Sequence, residues 1–194
     1  MKHIFILFSI ISCLSCKAQS PLFMADPELP AGTYYKDMNN DMDKFVGTWK
    51  WDNGNSSWTI TLEKVEYFLI GGYYRDILIG EYQYIENGDL IINTLPLLND
   101  SSVQGFEHYI AGSLILHKFH PLPCEDCTTD ERRVQLFFND PQKSYQSGRL
   151  WLRHRIISGV EQLDARLYGE IKSVDTGAFG DGTVPNGEYT LIKQ

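Results

Sequence analysis

Two cysteines three positions apart, in Cys124-Glu125-Asp126-Cys127, form the most pointed chemical motif of this 194-residue chain. Such a pair can close a local disulfide, hold a metal, or exchange electrons with a substrate thiol. A redox pair needs its thiolate stabilised by a helix amino terminus or by nearby positive charge, and Glu125 and Asp126 oppose that. Together with His117 and His120 the cysteines make a four-ligand set of the kind zinc favours. Two histidines three apart on one strand would point to opposite faces, so the zinc set His117, His120, Cys124 and Cys127 ranks below the disulfide, and no metal or cofactor is assigned.

Three other patterns are weaker. Asp175-Thr176-Gly177-Ala178 has the core of an aspartic-protease motif, but that chemistry needs two carboxylates sharing a proton, and a loop aspartate bonding to its own turn is the simpler reading. The run from Asp37 to Asp43 places oxygen ligands at alternate positions, like the start of a calcium loop. It lacks the glycine at position six and the bidentate glutamate at twelve, and reads as a solvated acidic segment capping a short turn. Glu81, Asp76 and Glu107 could serve a hydrolase if they converged in one cleft, although no spacing requires it. Zinc-protease, nucleophile-elbow and phosphate-loop patterns are absent, and no catalytic residue is assigned.

The disulfide preference depends on compartment, and the amino terminus speaks to that. Met1-Lys2-His3 leads into the apolar Ile4-Phe5-Ile6-Leu7-Phe8-Ser9-Ile10-Ile11, the layout of a secretory signal and too short for a membrane span. Leu14-Ser15-Cys16 resembles a lipobox, which places a lipid on Cys16. Lipid on Cys13 and plain cleavage after Ala18 are the alternatives. The expectation is an exported chain held at the cell envelope by a lipid, facing the periplasm, where disulfides persist. With 25 acidic against 17 basic residues and a formal charge of −8, the chain lacks the basic clusters that nucleic acid requires. Its one basic run, Arg149-Leu150-Trp151-Leu152-Arg153-His154-Arg155, alternates like a strand with a charged outer face.

Those groups must be positioned by β-structure. Residues 1–18 read as the signal, 19–40 as a proline-spaced tether and lead-in segment, and 41–194 as one β-rich domain. Ser57-Trp58-Thr59-Ile60-Thr61-Leu62 alternates strictly, as a half-buried strand does, and a bulge is expected near Glu63-Lys64 where the apolar phase shifts. Gly71-Gly72 and Asn87-Gly88 mark tight reversals. Further strands are expected over residues 73–85, 90–92, 113–119, 133–138, 148–157, 162–171 and 188–193, with one short helical turn over 40–45. Many strands with regular turns predict an all-β fold with very little helix, an antiparallel barrel or a β-sandwich.

The stretch Phe45-Val46-Gly47-Thr48-Trp49-Lys50-Trp51 resembles the Gly-x-Trp opening of lipocalin-like barrels, in which a tryptophan on the first strand plugs one end. More specifically, Gly47-Thr48-Trp49, Trp58-Thr59-Ile60-Thr61-Leu62, Asp76-Ile77-Leu78-Ile79-Gly80-Glu81-Tyr82 and Ile91-Ile92-Asn93-Thr94-Leu95 are similar to an uncharacterised family of exported Bacteroidota proteins. The Cys16-Lys17-Ala18-Gln19 start and the Tyr189-Thr190-Leu191-Ile192-Lys193-Gln194 ending fit it too. That family implies no catalytic or binding residue. The lipocalin resemblance implies a non-enzymatic domain for a small apolar ligand or an envelope protein. An internal dry cavity would favour the ligand, converging carboxylates a hydrolase, and a large exposed apolar patch an interaction module.

Overall fold

The computed structural model describes residues 19–22, 29–119, 124–143, 146–171 and 182–194. Over these the chain forms β1 (Gln19–Pro21), β2 (Tyr34–Lys36), β3 (Gly47–Asp52), β4 (Ser56–Ile70), β5 (Tyr73–Glu86), β6 (Asp89–Asn93), β7 (Ile110–Leu116), β8 (Arg133–Asn139), β9 (Gln146–Ile157), β10 (Val160–Ile171) and β11 (Gly187–Lys193). Helical structure among the described residues is confined to short 3-10 turns, including Asp43–Phe45, Leu95–Asn99 and Gly105–Glu107.

Eight strands close on themselves in the order β3, β4, β5, β7, β8, β9, β10, β11, each antiparallel to its neighbours. The fold is thus an all-β, lipocalin-like closed barrel, and the sandwich alternative is excluded. Closure is made where β11 meets β3, with Ile192 opposite Lys50 and Lys193 opposite Trp49, so no barrel strand leaves an unpaired edge.

The alternation read from the sequence becomes inside and outside. Trp58, Ile60 and Leu62 of β4 face Leu78, Tyr82, Leu136, Leu150, Leu163 and Leu191 across a common core. Their full burial supplies most of the stability, at roughly 1.5–3 kcal/mol for each large apolar side chain. Gly80 sits inside this wall for want of space, because a Cβ there would lie 2.5 Å from Leu62 and 2.7 Å from the Thr61 carbonyl oxygen. Trp49 packs at one end of the barrel, where its indole N–H donates to the Phe45 carbonyl at 2.9 Å. The Lys193 ammonium lies 5.3 Å from the centre of the ring.

Asn87 and Gly88 turn β5 into β6 with φ of 53° and 87°, the left-handed pair that an Asn-Gly hairpin demands. The bulge in β4 falls later than expected, between Val65 and Phe68. Tyr67 takes φ 59° there, a costly conformation for a bulky residue. It is held by the Asp76 carboxylate, which accepts the Tyr67 N–H at 3.1 Å. Beyond the last β3 pairing at Leu62, β4 and β5 continue as a projecting hairpin. The stretch expected as tether and lead-in segment is woven into this projection. There β2 pairs in parallel with β5 through Tyr34 and Tyr74, and β1 pairs in parallel with β2.

Candidate functional site

On β5, Leu78 and Tyr82 point into the barrel, which turns Ile77, Ile79 and Glu81 outward, yet all three are buried. The cover over Ile79 and Glu81 is the excursion between β6 and β7. It is shaped by the 3-10 turns Leu95–Asn99 and Gly105–Glu107, the second closed by a capping box in which Glu107 accepts the Gln104 N–H at 2.9 Å. Between this cover and the wall lies an open groove of about 370 Å³. Val65, Phe68, Ile79, Leu98 and Val103 give it apolar walls, and Asn99, Ser101, Gln104 and His108 give it polar points. Gly105 must be glycine here: its φ is +53°, and a Cβ would fall 2.0 Å from the Phe68 ring.

His108 and Glu81 form a buried pair beside the groove, 2% and 0% exposed. Nδ1 of His108 lies 2.9 Å from Glu81 Oε1, which also accepts the Tyr109 N–H at 3.3 Å. An ionised carboxylate only accepts, so against it Nδ1 carries a hydrogen and Nε2 is the ring's remaining polar atom. Glu81 Oε2 is buried without a hydrogen-bond partner among the described residues. A buried acceptor left unmet is unfavourable, and such groups concentrate where function competes with stability.

The remaining acids do other work. Asp76, fully buried on β5, accepts the Tyr34 hydroxyl at 2.5 Å, the Asp37 N–H at 2.8 Å and the Tyr67 N–H. Burial, and then the neighbouring Asp76 carboxylate, push the Tyr34 phenol well above its ordinary pKa, so it stays a donor. Asp76 and Glu81 are five residues apart on one strand and so lie on opposite faces, while Glu107 is spent on its cap. The convergence that a hydrolase would need is absent among these residues. The calcium-like run caps a short turn as expected, although Asp37 is buried and not solvated. Asp37 accepts the Asp41 and Met42 N–H groups at 2.9 Å, and the Lys64 ammonium bridges Asp37 and Asp43 at 3.1 and 2.6 Å. A fixed lysine supplies the positive charge that the oxygen cluster calls for.

Cys124 and Cys127 are joined in a disulfide, as the exported reading expects. The zinc set therefore loses both thiolates. Its His120 lies outside the described residues, and His117 Nδ1 accepts the Phe119 N–H at 3.2 Å. The bridged loop is tied to β9 by Arg153, which contacts Asp126 at 2.8 Å and Glu131 at 2.5 Å. Arg155 reaches Asp164 at 3.1 Å and Arg149 stacks over Phe137, so the basic run does form a charged outer face. Burial opposes ionisation of Glu131, but the Arg153 bonds outweigh it and hold the carboxyl below its ordinary 4.5. Such a group adds stability above the unfolded-state value and loses it as pH falls through the folded one. Unfolding midpoints followed from about pH 5 down to 3 should fall more steeply for the native protein than for Arg153→Ala.

The barrel interior is occupied by the protein's own rings. Trp58 packs edge-on against Tyr189 and Phe138 at 5.0 and 5.8 Å between centres. The concavity beside Phe138, Gly148 and Gly169 holds about 20 Å³, space for about one water. Among the described residues the groove over β5 is the roomier of two outer concavities, the other holding about 250 Å³ between the disulfide loop and the charged side chains Arg133, Arg153, Asp164 and Arg166. Sequence reading named Glu81 only as one acid among three and passed over His108. A usable signal was present: Ile77, Leu78 and Ile79 are apolar at both parities, which marks a strand covered on both faces. Cys16 and Asp175 lie outside the described residues.

No curated protein and no solved structure matches the chain. The model of a family of unknown function, DUF6705, matches residues 1–194, and the chain belongs to that family.

Proposed function

We propose that this protein is an exported lipoprotein, anchored through Cys16 and facing the periplasm, whose barrel binds a small, largely apolar ligand without catalysis. The observation that carries the binding reading is the groove over β5. It has the size and make-up of a ligand site, apolar walls with a few convergent polar groups. The unmet Glu81 oxygen behind its His108 is the kind of feature that a purely structural surface would shed. The address rests on the amino-terminal signal and on Leu14-Ser15-Cys16, with the Cys124–Cys127 bridge in keeping with an oxidising compartment.

In such a groove the ligand's chain would lie against Phe68, Ile79 and Val103, and a hydrogen-bonding head would meet His108. Mass spectrometry of the natively purified protein should find a co-purifying amphiphile. Val103→Trp, which fills the groove from its rim, should lower affinity for a fluorescent apolar probe by about tenfold or more, the worth of about 1.4 kcal/mol. Saturable binding that Val103→Trp leaves unchanged would place the ligand elsewhere. Absence of both ligand and probe binding would end the reading.

A further inference from the structure

We infer that the tip of the projecting β4–β5 hairpin, with residues 29–33 beside it, is a membrane-contact surface, and that the barrel stands on the bilayer by this end. The inference rests on the proposed anchor at Cys16. It follows from where the chain leaves the sheet. β1 runs parallel to β2 and β2 parallel to β5, with Gln19 opposite Tyr34 and Tyr34 opposite Tyr74. The backward continuation of β1 therefore exits beside the Gly71-Gly72 turn. Gln19 follows Cys16 by only three positions, a reach of at most about 10 Å. A lipid on Cys16 cannot hang the barrel from a long tether and must hold this end against the headgroups.

The tip has the composition for it. Residues 29–35 and 67–74 carry no charged side chain, in a chain that is 22% charged. The two segments are bonded together, Gly32 N–H to the Gly72 carbonyl at 2.7 Å and Tyr74 N–H to Thr33 at 3.0 Å. Leu69 is 56% exposed. Beside it Tyr67 stacks on Tyr74 at 3.9 Å, and Tyr34 meets Tyr67 edge-on at 4.8 Å. Tyr34 is buried behind this pair, and the half-buried Tyr67 and Tyr74 beside an exposed leucine suit the headgroup boundary, where an apolar ring and a polar tip are both accommodated. The charges that flank these two segments along the chain, Glu28, Lys36, Glu66 and Arg75, cancel, so the tip is apolar and neutral. The opposite end of the barrel, at the β3–β4 and β5–β6 turns, is polar, with Asp52, Asn53, Asn55, Glu86, Asn87 and Asp89, and Lys50 paired to Asp52 at 2.8 Å. Phe68, next to Leu69, is also a wall of the groove, so the groove adjoins the tip.

The test uses the full chain, matured in cells and placed in vesicles of phosphatidylethanolamine and phosphatidylglycerol. Leu69→Cys and, at the far end, Asn55→Cys each receive an environment-sensitive fluorophore, and the mass of the Cys16 peptide is read in parallel. Doxyl-labelled lipids should quench the label at position 69 by about threefold or more relative to that at 55, as expected of an interfacial site. Equal quenching at both, or none at 69, with lipid present on Cys16, overturns the orientation and leaves the anchor standing. An unmodified Cys16 removes the anchor and this inference together.

Discussion

Asp76→Ala is expected to lower the stability of the barrel by about 3–5 kcal/mol, the cost of removing a buried charged acceptor from several donors at once. Three donors converge on this carboxylate from three parts of the chain: Tyr34 on β2, Asp37 just after it, and Tyr67 in the bulge. Truncation strands all of them in a site that is 0% exposed at Asp76 and 2% at Asp37. It also releases the left-handed backbone at Tyr67, which the carboxylate restrains. In a domain of this size each kcal/mol moves the midpoint by about 2–4 °C, so thermal unfolding should show the change directly. Hydrogen exchange should quicken first at the Asp37 and Tyr67 amides. Asp76→Asn keeps one acceptor oxygen and should cost less than half as much. An alanine variant within about 1 kcal/mol of the native protein would mean that water or a rearranged Tyr34 replaces the carboxylate.

The second large effect concerns the pair beside the groove. His108→Leu should cost about 3–5 kcal/mol, because it leaves the Glu81 charge buried and almost unpaired. The double variant Glu81→Leu/His108→Leu should be markedly more stable than that single variant. Replacing both members of a buried polar pair by apolar groups removes the desolvation cost along with the bond. Urea unfolding of the native protein, both single variants and the double variant closes the cycle. If the double variant regains stability while binding of the apolar probe is lost, the pair is kept for recognition. Should the double variant be as unstable as His108→Leu, the pair is a packing element, and the unmet Oε2 has no functional meaning.

Short-range pattern carried much of this fold. Alternation in residues 57–62 and 149–155 reports which side chains meet a core and which meet water, and that is a property of the strand itself. Asn87-Gly88 names its own turn because few residue pairs tolerate two left-handed conformations in succession. The disulfide was also legible, since Cys124 and Cys127 lie within one turn of chain and a bridge there needs little help from the rest of the fold.

Tertiary structure decided what depends on distant partners. The bulge sits at Tyr67, not near Glu63, because a carboxylate nine residues away on the next strand accepts its N–H. Asp37 and Asp43 suggested a cation site, and the cation proved to be Lys64 arriving from β4. Residues 19–40 looked like a spacer because prolines exclude regular structure locally, yet parallel pairing with β5 draws in Tyr34 and Tyr35 once that edge exists. Glu81 and His108 are 27 residues apart and meet only because an irregular excursion folds back over the outside of the wall. Periodicity reports that a side chain will be covered and is silent on what covers it. By itself, then, the sequence determined a β-rich chain with its strands, turns and local bridge. The closed barrel, the place of its groove and the end from which the chain leaves the sheet had to wait for long-range pairing, whose entropic cost only the assembled core repays.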